Sequence, residues 1–220
     1  MEPIVDQIPS TAMISYLPVL SQAFSHREVS VSLLDARAGS PPSGSELLRR
    51  HGQGTGLEVL LRDWERSSAE ILESHVSFPV LAFYRSQHDN QSWVAAMTAI
   101  LDTCALIIAF VQEGVVQQAR LTFAIARHAV ADMCYVLKLE PRPPSPPRLS
   151  EDVLSRLLQS LTDSGLAIQC DAGSCRRLEE LRAMYEPSVE ALSRELLMPL
   201  PPWVPPARVH ENWAATAQER

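Results

Sequence analysis

The sequence predicts an all-α protein: a helical bundle built around a long antiparallel helical hairpin, with an extended N-terminal segment. Residues 88–138 hold most of the continuous apolar surface of the chain. Apolar side chains recur there, and in residues 57–76, at the i, i+3, i+4, i+7 spacing of a helix with one buried face. The alternation typical of a β-strand occurs over residues 29–33, which is too short to predict a sheet.

The composition restricts the class of partner. The chain has 220 residues, a hydrophobic fraction of 46% and a formal net charge of −7. This length allows one domain with appendages, and the apolar fraction is typical of a globular protein. Because a nucleic-acid-binding protein is expected to carry a basic face, the acidic balance argues against nucleic acid as a partner.

Residues 1–44 are predicted to be an extended N-terminal segment. Val29, Val31 and Leu33 alternate with serines, and glycine and proline break the chain at 39–42. We expect this segment to lie on the helices or to pair between subunits. The start of the chain lacks the basic region and unbroken apolar run of a signal peptide, but residues Met13–Phe24 could attach it to a membrane surface.

Residues 45–140 are predicted to form the helical core with the long hairpin. One helix begins near Ser45, is interrupted by glycines at 52, 54 and 56, and is followed by a second helix from Leu57 to about His75. A third helix is expected from Pro79 to about Gln112, and a fourth from 115 to about 139.

The remaining residues are predicted to be a linker, two helices and a tail. Residues 141–149, PRPPSPPRL, are predicted to be a semi-rigid proline-rich linker. Within 150–200, C-terminal helices are expected to pack on the core, one from Ser150 to Gly165 and one kinked at Pro187. Residues 201–220 are predicted to be a tail.

The segment from Trp93 to Val111 has about the length of a membrane span. Asp102 lies near its middle, where an aspartate costs about 2.5–3.5 kcal/mol on insertion scales. Alanines and threonines dilute the remaining apolar residues. We therefore predict a buried core helix.

The four cysteines do not have zinc-site spacing, and we predict no metal or cofactor. Cys104 and Cys134 lie in apolar helical sequence, where cysteine behaves as a small hydrophobic residue. Cys170 and Cys175 are predicted to be reduced thiols, with a local disulfide as the alternative.

Asp102 is predicted to belong to a structural polar network. It lies on a helix face of small residues, where a buried carboxylate needs a partner. Counting equal distances from the turn near Gly114 places it opposite Arg127 and His128, and Asp132 is at i+4 from His128.

The same residues allow an alternative: a small-molecule-binding or catalytic helical bundle using His128, Asp132 and Asp102, with Cys134 nearby. Catalysis would also need a nucleophile, a base and oxyanion donors around one pocket. Helix interiors offer no free N–H donors, and the chain has neither a nucleophile elbow nor a Glu-x-x-His di-metal pattern. We therefore favour the structural network and predict that the chain is not an enzyme.

Five polar residues, 88–92, interrupt the apolar stretch. They are predicted to be either a solvated turn or a contact site for another subunit or a neighbouring helix, formed by His88, Asp89 and Asn90. The isolated histidines at 26, 51, 75 and 210 are expected at the surface or in loops.

Four strings of the sequence resemble the cytoplasmic region that follows the pore in bacterial two-transmembrane potassium-channel-like proteins. They are YLPVLSQAFSHREVSVSLLDARAGSPPSGSELLRRH, SQHDNQSWVAAMTAILDTCALII, QARLTFAIARHAVADM and MYEPSVEALSRELLMPLPPW. The resemblance covers about residues 15–203. The chain departs from these channels because it contains no T-V-G-Y-G filter and no helix pair around one.

The resemblance implies a non-enzymatic cytoplasmic module of an ion channel, at the inner face of the cell membrane. Such a module would act by helix–helix assembly, as a homo-oligomer or together with a pore-forming membrane segment, and would couple to the gate. In that family the segment SYLPVLSQAF follows the inner pore helix. We expect this chain to be unable to conduct ions alone.

Overall fold

A computed structural model describes residues 10–52, 54–88 and 90–205, with side chains from residue 16 onward. These residues form α-helices and one 3-10 turn and no β-strand. The helices are α1 (Ser10–Ala38), α2 (Gly44–His51), α3 (Thr55–Ser77), α4 (Trp93–Phe110), α5 (Val116–Val136), α6 (Glu151–Asp163), α7 (Ala172–Ala183) and α8 (Glu186–Leu196), and the 3-10 turn is Pro79–Phe83. The predicted all-α bundle is confirmed.

Helix α4 is the centre of the bundle. It packs against α1, α2, α3, α5, α7 and α8. By length and composition α4 could cross a membrane, with a mean hydropathy of 2.0, but 94% of its residues are buried inside the protein. The burial predicted for this segment is confirmed, and its apolar residues form the core.

The predicted helix from Pro79 to Gln112 is divided in the structure. Pro79–Phe83 forms the 3-10 turn, residues 84–92 are not helical, and α4 begins at Trp93. Ser92 caps α4, because its hydroxyl accepts a hydrogen bond from the Ala95 amide at 3.0 Å. Helices α4 and α5 contact each other, but over a shorter stretch than the hairpin predicted for 88–138. The long antiparallel hairpin is therefore not confirmed.

The prediction of an extended N-terminal segment is wrong for the described residues, because residues 10–38 form α1. The apolar alternation at 29–33 divides between two helix faces: Val31 is buried, whereas Val29 and Leu33 are more than half exposed. Helical spacing from Val31 predicts the other buried residues, Leu34 and Ala38. Residues 1–9 lie outside the described residues.

Helix α2 approaches α4 very closely at Gly44. A side-chain carbon at this position would lie 2.9 Å from the Thr103 amide nitrogen and 3.0 Å from the Ala99 carbonyl oxygen. Glycine is therefore required for the contact. The predicted start of this helix near Ser45, the glycine break after it and the stripe of α3 are confirmed, with α3 packed mainly on α5.

The C-terminal helices pack on the first part of the bundle, α6 on α2, α7 on α4 and α8 on α5. Ser150 caps α6 as predicted, accepting a hydrogen bond from the Val153 amide at 3.4 Å. The single kinked helix predicted around Pro187 is instead two helices. Because proline is favoured in a first turn, Pro187 lies at the start of α8.

Candidate functional site

The most strongly organised polar site surrounds the Asp102 carboxylate, which is 1% exposed in the middle of α4. Arg148 holds it in a two-point contact, with Nη2 donating to Oδ2 at 2.9 Å and Nη1 donating to Oδ1 at 3.3 Å. Such a paired geometry is among the stronger hydrogen-bonded contacts in proteins. Arg148 comes from the segment predicted to be only a linker.

Tyr185 adds a second donor to the same carboxylate. The tyrosine is fully buried between α7 and α8, and its hydroxyl donates to Asp102 Oδ1 at 2.5 Å. Burial and the neighbouring carboxylates raise the pKa of Tyr185 well above its ordinary value. The phenol therefore keeps its proton and acts as a donor.

Arg148 also reaches the end of the chain. It donates to Glu186 Oε1 at 3.2 Å and to the Pro201 carbonyl at 3.0 Å. Burial lowers the pKa of Arg148, but the charge and hydrogen bonds of Asp102 outweigh burial and raise it overall. This guanidinium stays charged and connects α4, the proline-rich segment, α8 and residue 201.

A second arginine, Arg182, supplies the positive charge that balances the Glu186 carboxylate. Arg182 donates to both oxygens of Glu186, at 3.1 and 3.0 Å. The Trp203 ring lies near both guanidinium groups, 5.5 Å from that of Arg148 and 5.6 Å from that of Arg182. We call these residues the Asp102 cluster: Asp102, Arg148, Arg182, Tyr185, Glu186 and Trp203.

The Asp102 cluster is suited to holding segments together. Its two carboxylates balance two guanidinium groups, and both carboxylates are bound by charged donors. A buried pair with satisfied partners is costly to break on one side. Among the described residues, no group of three or more His, Cys, Asp and Glu side chains could hold a metal ion.

The predicted partners of Asp102 were wrong. None of the hydrogen bonds or ion pairs among the described residues joins Asp102 to Arg127 or His128, and the carboxylate pairs with Arg148 instead. His128 and Asp132 do pair as their i, i+4 spacing predicts, with Nε2 and Oδ2 at 3.3 Å. That pair is at the surface, with side chains 57% and 42% exposed.

Cys134, which lies near the residues of the catalytic alternative in the sequence, is buried and donates to the Ser188 carbonyl at 3.4 Å. Burial raises the pKa of Cys134 to about 11, which leaves little reactive thiolate near neutral pH. The residues of that alternative thus have separate surroundings: a surface pair, a buried thiol and the Asp102 cluster.

A second buried polar site joins α1 to the end of α3 and the 3-10 turn. Arg27, 3% exposed, donates to the carbonyls of Leu81 at 2.8 Å and Tyr84 at 2.6 Å. It also contacts His75 Nε2 at 3.1 Å, and its guanidinium lies 5.1 Å from the Phe24 ring. We call Arg27, His75 and these carbonyls the Arg27 joint.

His75 is fully buried, so its predicted surface or loop position was wrong. Burial and the Arg27 charge lower the pKa of His75 from 6.5 to about 3. The ring is therefore neutral, with Nε2 accepting from Arg27 and Nδ1 donating to Ser74 Oγ at 3.0 Å. The stripe of α3 gave a signal for this burial, because His75 is at i+4 from buried Ile71.

The predicted contact site of His88, Asp89 and Asn90 lies on the non-helical segment before α4. His88 and Asn90 are exposed, and Asp89 lies outside the described residues. Next to them, Gln91 donates to buried Asp35 at 2.8 Å, which ties this segment to α1. A cavity of about 360 Å³ is lined by His88 and Asn90 together with residues 85–86, 91–92 and 198–200. The role of this site as a contact stays a prediction.

The chain was compared with protein-family models, with curated proteins and with solved structures, and none of them matches it.

Proposed function

We propose that the chain is a non-enzymatic module that acts by helix–helix assembly through α1, as the cytoplasmic part of a potassium-channel-like protein. The observation that carries this proposal is the exposed apolar start of α1. Tyr16 is 55% exposed and Leu17 is 67% exposed, although both lie on a helix whose later turns are packed.

The exposed residues continue the buried face of α1. Arg27, Val31 and Leu34 are buried at helical spacing. The same spacing, taken backwards from Arg27, reaches Leu20 at i−7 and Tyr16 at i−11. The Tyr16 ring still contacts Phe78 at the end of α3, with ring centroids 5.1 Å apart, while Tyr16 remains 55% exposed. The packed face of α1 therefore reaches the edge of the bundle at Tyr16 and leaves apolar surface on which another helix can dock.

The charge pattern favours another helix over a lipid surface. Residues 10–25 contain no charged residue, whereas the whole chain has a net charge of −7. An uncharged helix lets acidic subunits approach without local repulsion. It also lacks the basic residues that attract a protein to anionic lipids. Self-assembly of α1, with or without a preceding pore helix, is the arrangement these observations support.

Gate coupling would follow from the direct contact of α1 with the bundle. The segment SYLPVLSQAF, which the resemblance places after an inner pore helix, is helical throughout in α1. The Arg27 joint ties the same helix to α3 and the 3-10 turn. A movement of a pore helix continuous with α1 would then reach the bundle directly.

The test is a solution mass measurement on the full chain and on two leucine variants. We expect an oligomer that Leu17→Glu dissociates. Leu121→Glu is the matched control, because Leu121 on α5 is also exposed, at 46%, and this variant should leave the mass unchanged. A monomeric wild-type chain at all concentrations, or an oligomer that both variants retain, would contradict assembly through α1.

The channel part of the proposal needs its own test. The coding sequence directly upstream should encode a pore with a G-Y-G filter in frame, and this chain expressed alone should give no potassium current. Binding of the monomer to neutral and anionic vesicles, lost with Leu17→Glu, would instead show a membrane-attached protein. An upstream region without a pore would overturn the channel assignment.

A further inference from the structure

Cys170 and Cys175 lie on either side of the start of α7 in the sequence. Asp171 is the N-cap, and its side chain accepts a hydrogen bond from the Ser174 amide at 2.7 Å. Cys170 is therefore the residue before the cap and Cys175 is the fourth residue of the helix. Side chains at these two positions commonly pack on each other, closing the first turn.

Cys170 is among the groups that raise the pKa of the Cys175 thiol, which places the two thiols near each other. Cys170 is exposed, Cys175 is partly buried, and neither is in a disulfide. The other two cysteines, Cys104 and Cys134, are buried. A reagent in solution thus reaches one pair of adjacent thiols in the described part of the chain, and that pair is held by a helix cap.

We propose that Cys170 and Cys175 form a modification site, a dithiol that converts reversibly to an intramolecular disulfide by exchange with a low-molecular-weight disulfide such as oxidised glutathione. The inference is independent of the proposed assembly function.

The order of the exchange follows from the surroundings of each thiol. Burial, and then the neighbouring Cys170, Glu179 and Asp171, raise the pKa of the Cys175 thiol. Exposed Cys170 therefore reacts first: its thiolate attacks one sulfur of oxidised glutathione, which releases one glutathione thiolate. The Cys175 thiolate then attacks the Cys170 sulfur and releases the second glutathione. Two cysteine thiols are oxidised, and one glutathione disulfide is reduced to two thiols.

The disulfide would act on the attachment of α7 to the core. The Gln169 amide donates to the Phe110 carbonyl at the end of α4 at 2.8 Å, and the side chains of Gln112 and Gln169 are also hydrogen-bonded. Cys170 is the next residue. The bond would therefore connect the first turn of α7 covalently to the residue beside this contact with α4.

The experiment exposes the full chain to reduced and oxidised glutathione in defined ratios and maps the products by mass spectrometry. We expect one disulfide per chain, joining Cys170 to Cys175, at a yield that does not depend on protein concentration. Cys104 and Cys134 should stay unmodified while the chain is folded, and added dithiol should reverse the reaction.

Two serine variants make the result decisive. Cys175→Ser should retain one glutathione on Cys170, because no second thiol resolves the mixed disulfide, whereas Cys170→Ser should react much more slowly at Cys175. Circular dichroism checks that both variants fold. A wild-type chain that retains glutathione on Cys170, stays fully reduced under oxidised glutathione or forms disulfides between chains would overturn the proposal.

Discussion

The side chains of Arg27 and Arg148 are only 1% and 9% exposed, and they are compensated in different ways. Arg148 pairs with the carboxylates of Asp102 and Glu186, at 2.9 and 3.2 Å. Arg27 donates to two backbone carbonyls and contacts neutral His75, and among the described residues it forms an ion pair with the adjacent Glu28 at 3.0 Å. Burial lowers the pKa of Arg27, and Glu28 opposes that shift.

The difference is between a connection made by paired opposite charges and one made mainly by neutral acceptors. The Asp102 cluster joins segments far apart in sequence through opposite charges, and removing one partner leaves the others buried and uncompensated. The Arg27 joint relies mainly on backbone carbonyls and a neutral imidazole, so that removing Arg27 leaves neutral acceptors and not an uncompensated buried charge. We therefore expect α1 to separate from the bundle before the core around α4 opens.

The largest effect is expected from Arg148→Ala. It would leave Asp102 and Glu186 without this buried partner and lower the free energy of unfolding by about 3–5 kcal/mol. Urea denaturation measures the change. Arg142→Ala is the control from the same segment, because the Arg142–Glu140 pair has side chains 72% and 81% exposed. A loss of similar size in both variants would contradict a central role for the cluster.

A smaller and more local effect is expected from Arg27→Ala, which removes the donors to the Leu81 and Tyr84 carbonyls. Hydrogen bonds from a charged group contribute about 1.5–3 kcal/mol. Hydrogen exchange should show faster opening of α1 and of residues 79–84, with α4 and α5 unchanged. Arg37→Ala, at an exposed position of the same helix, should leave exchange as in the wild type. Uniform destabilisation of the whole chain would show that the joint is not a separate unit.

The third effect, which is absent at neutral pH, is a pH dependence from His75. Its pKa is lowered from 6.5 to about 3 in the folded state, so the unfolded chain takes up a proton more readily. The contribution of His75 to stability is complete above about pH 6.5 and is lost as the pH falls toward 3, by about 1.4 kcal/mol per pH unit.

Denaturation curves from pH 7 to pH 4 test this dependence in three proteins. His75→Gln should be less sensitive to acid than the wild type, while His26→Gln, at an exposed position of α1, should keep the wild-type slope. Equal slopes for wild type and His75→Gln would show that His75 is protonated in the folded chain.

Much of the fold could be predicted from local patterns. The α3 stripe, the Ser150 cap and the glycine break after α2 depend on residues within one or two turns, and all appear in the structure. The extended N-terminal segment was predicted from the alternation at 29–33. Those five residues also fit a helix once the residues before and after them are considered. The helical spacing of residues 27, 31, 34 and 38, which are buried, was the more informative pattern.

The partner of Asp102 could not be found in this way. The count from Gly114 considered only the adjacent helix, whereas Arg148 and Tyr185 are 46 and 83 residues away along the chain. An arginine after a run of prolines reads as a solvated linker residue. The buried position of Leu149, next to it, shows that the segment packs on the bundle.

The separation of Asp102 from Tyr185 has a consequence for synthesis of the chain. The 83 residues between them take about 4–17 s to translate at about 5–20 residues per second. During that interval the Asp102 carboxylate first has no partner, and then, 46 residues later, it can pair with Arg148 but not yet with Tyr185. The Asp102 cluster can therefore be complete only after translation has passed Trp203.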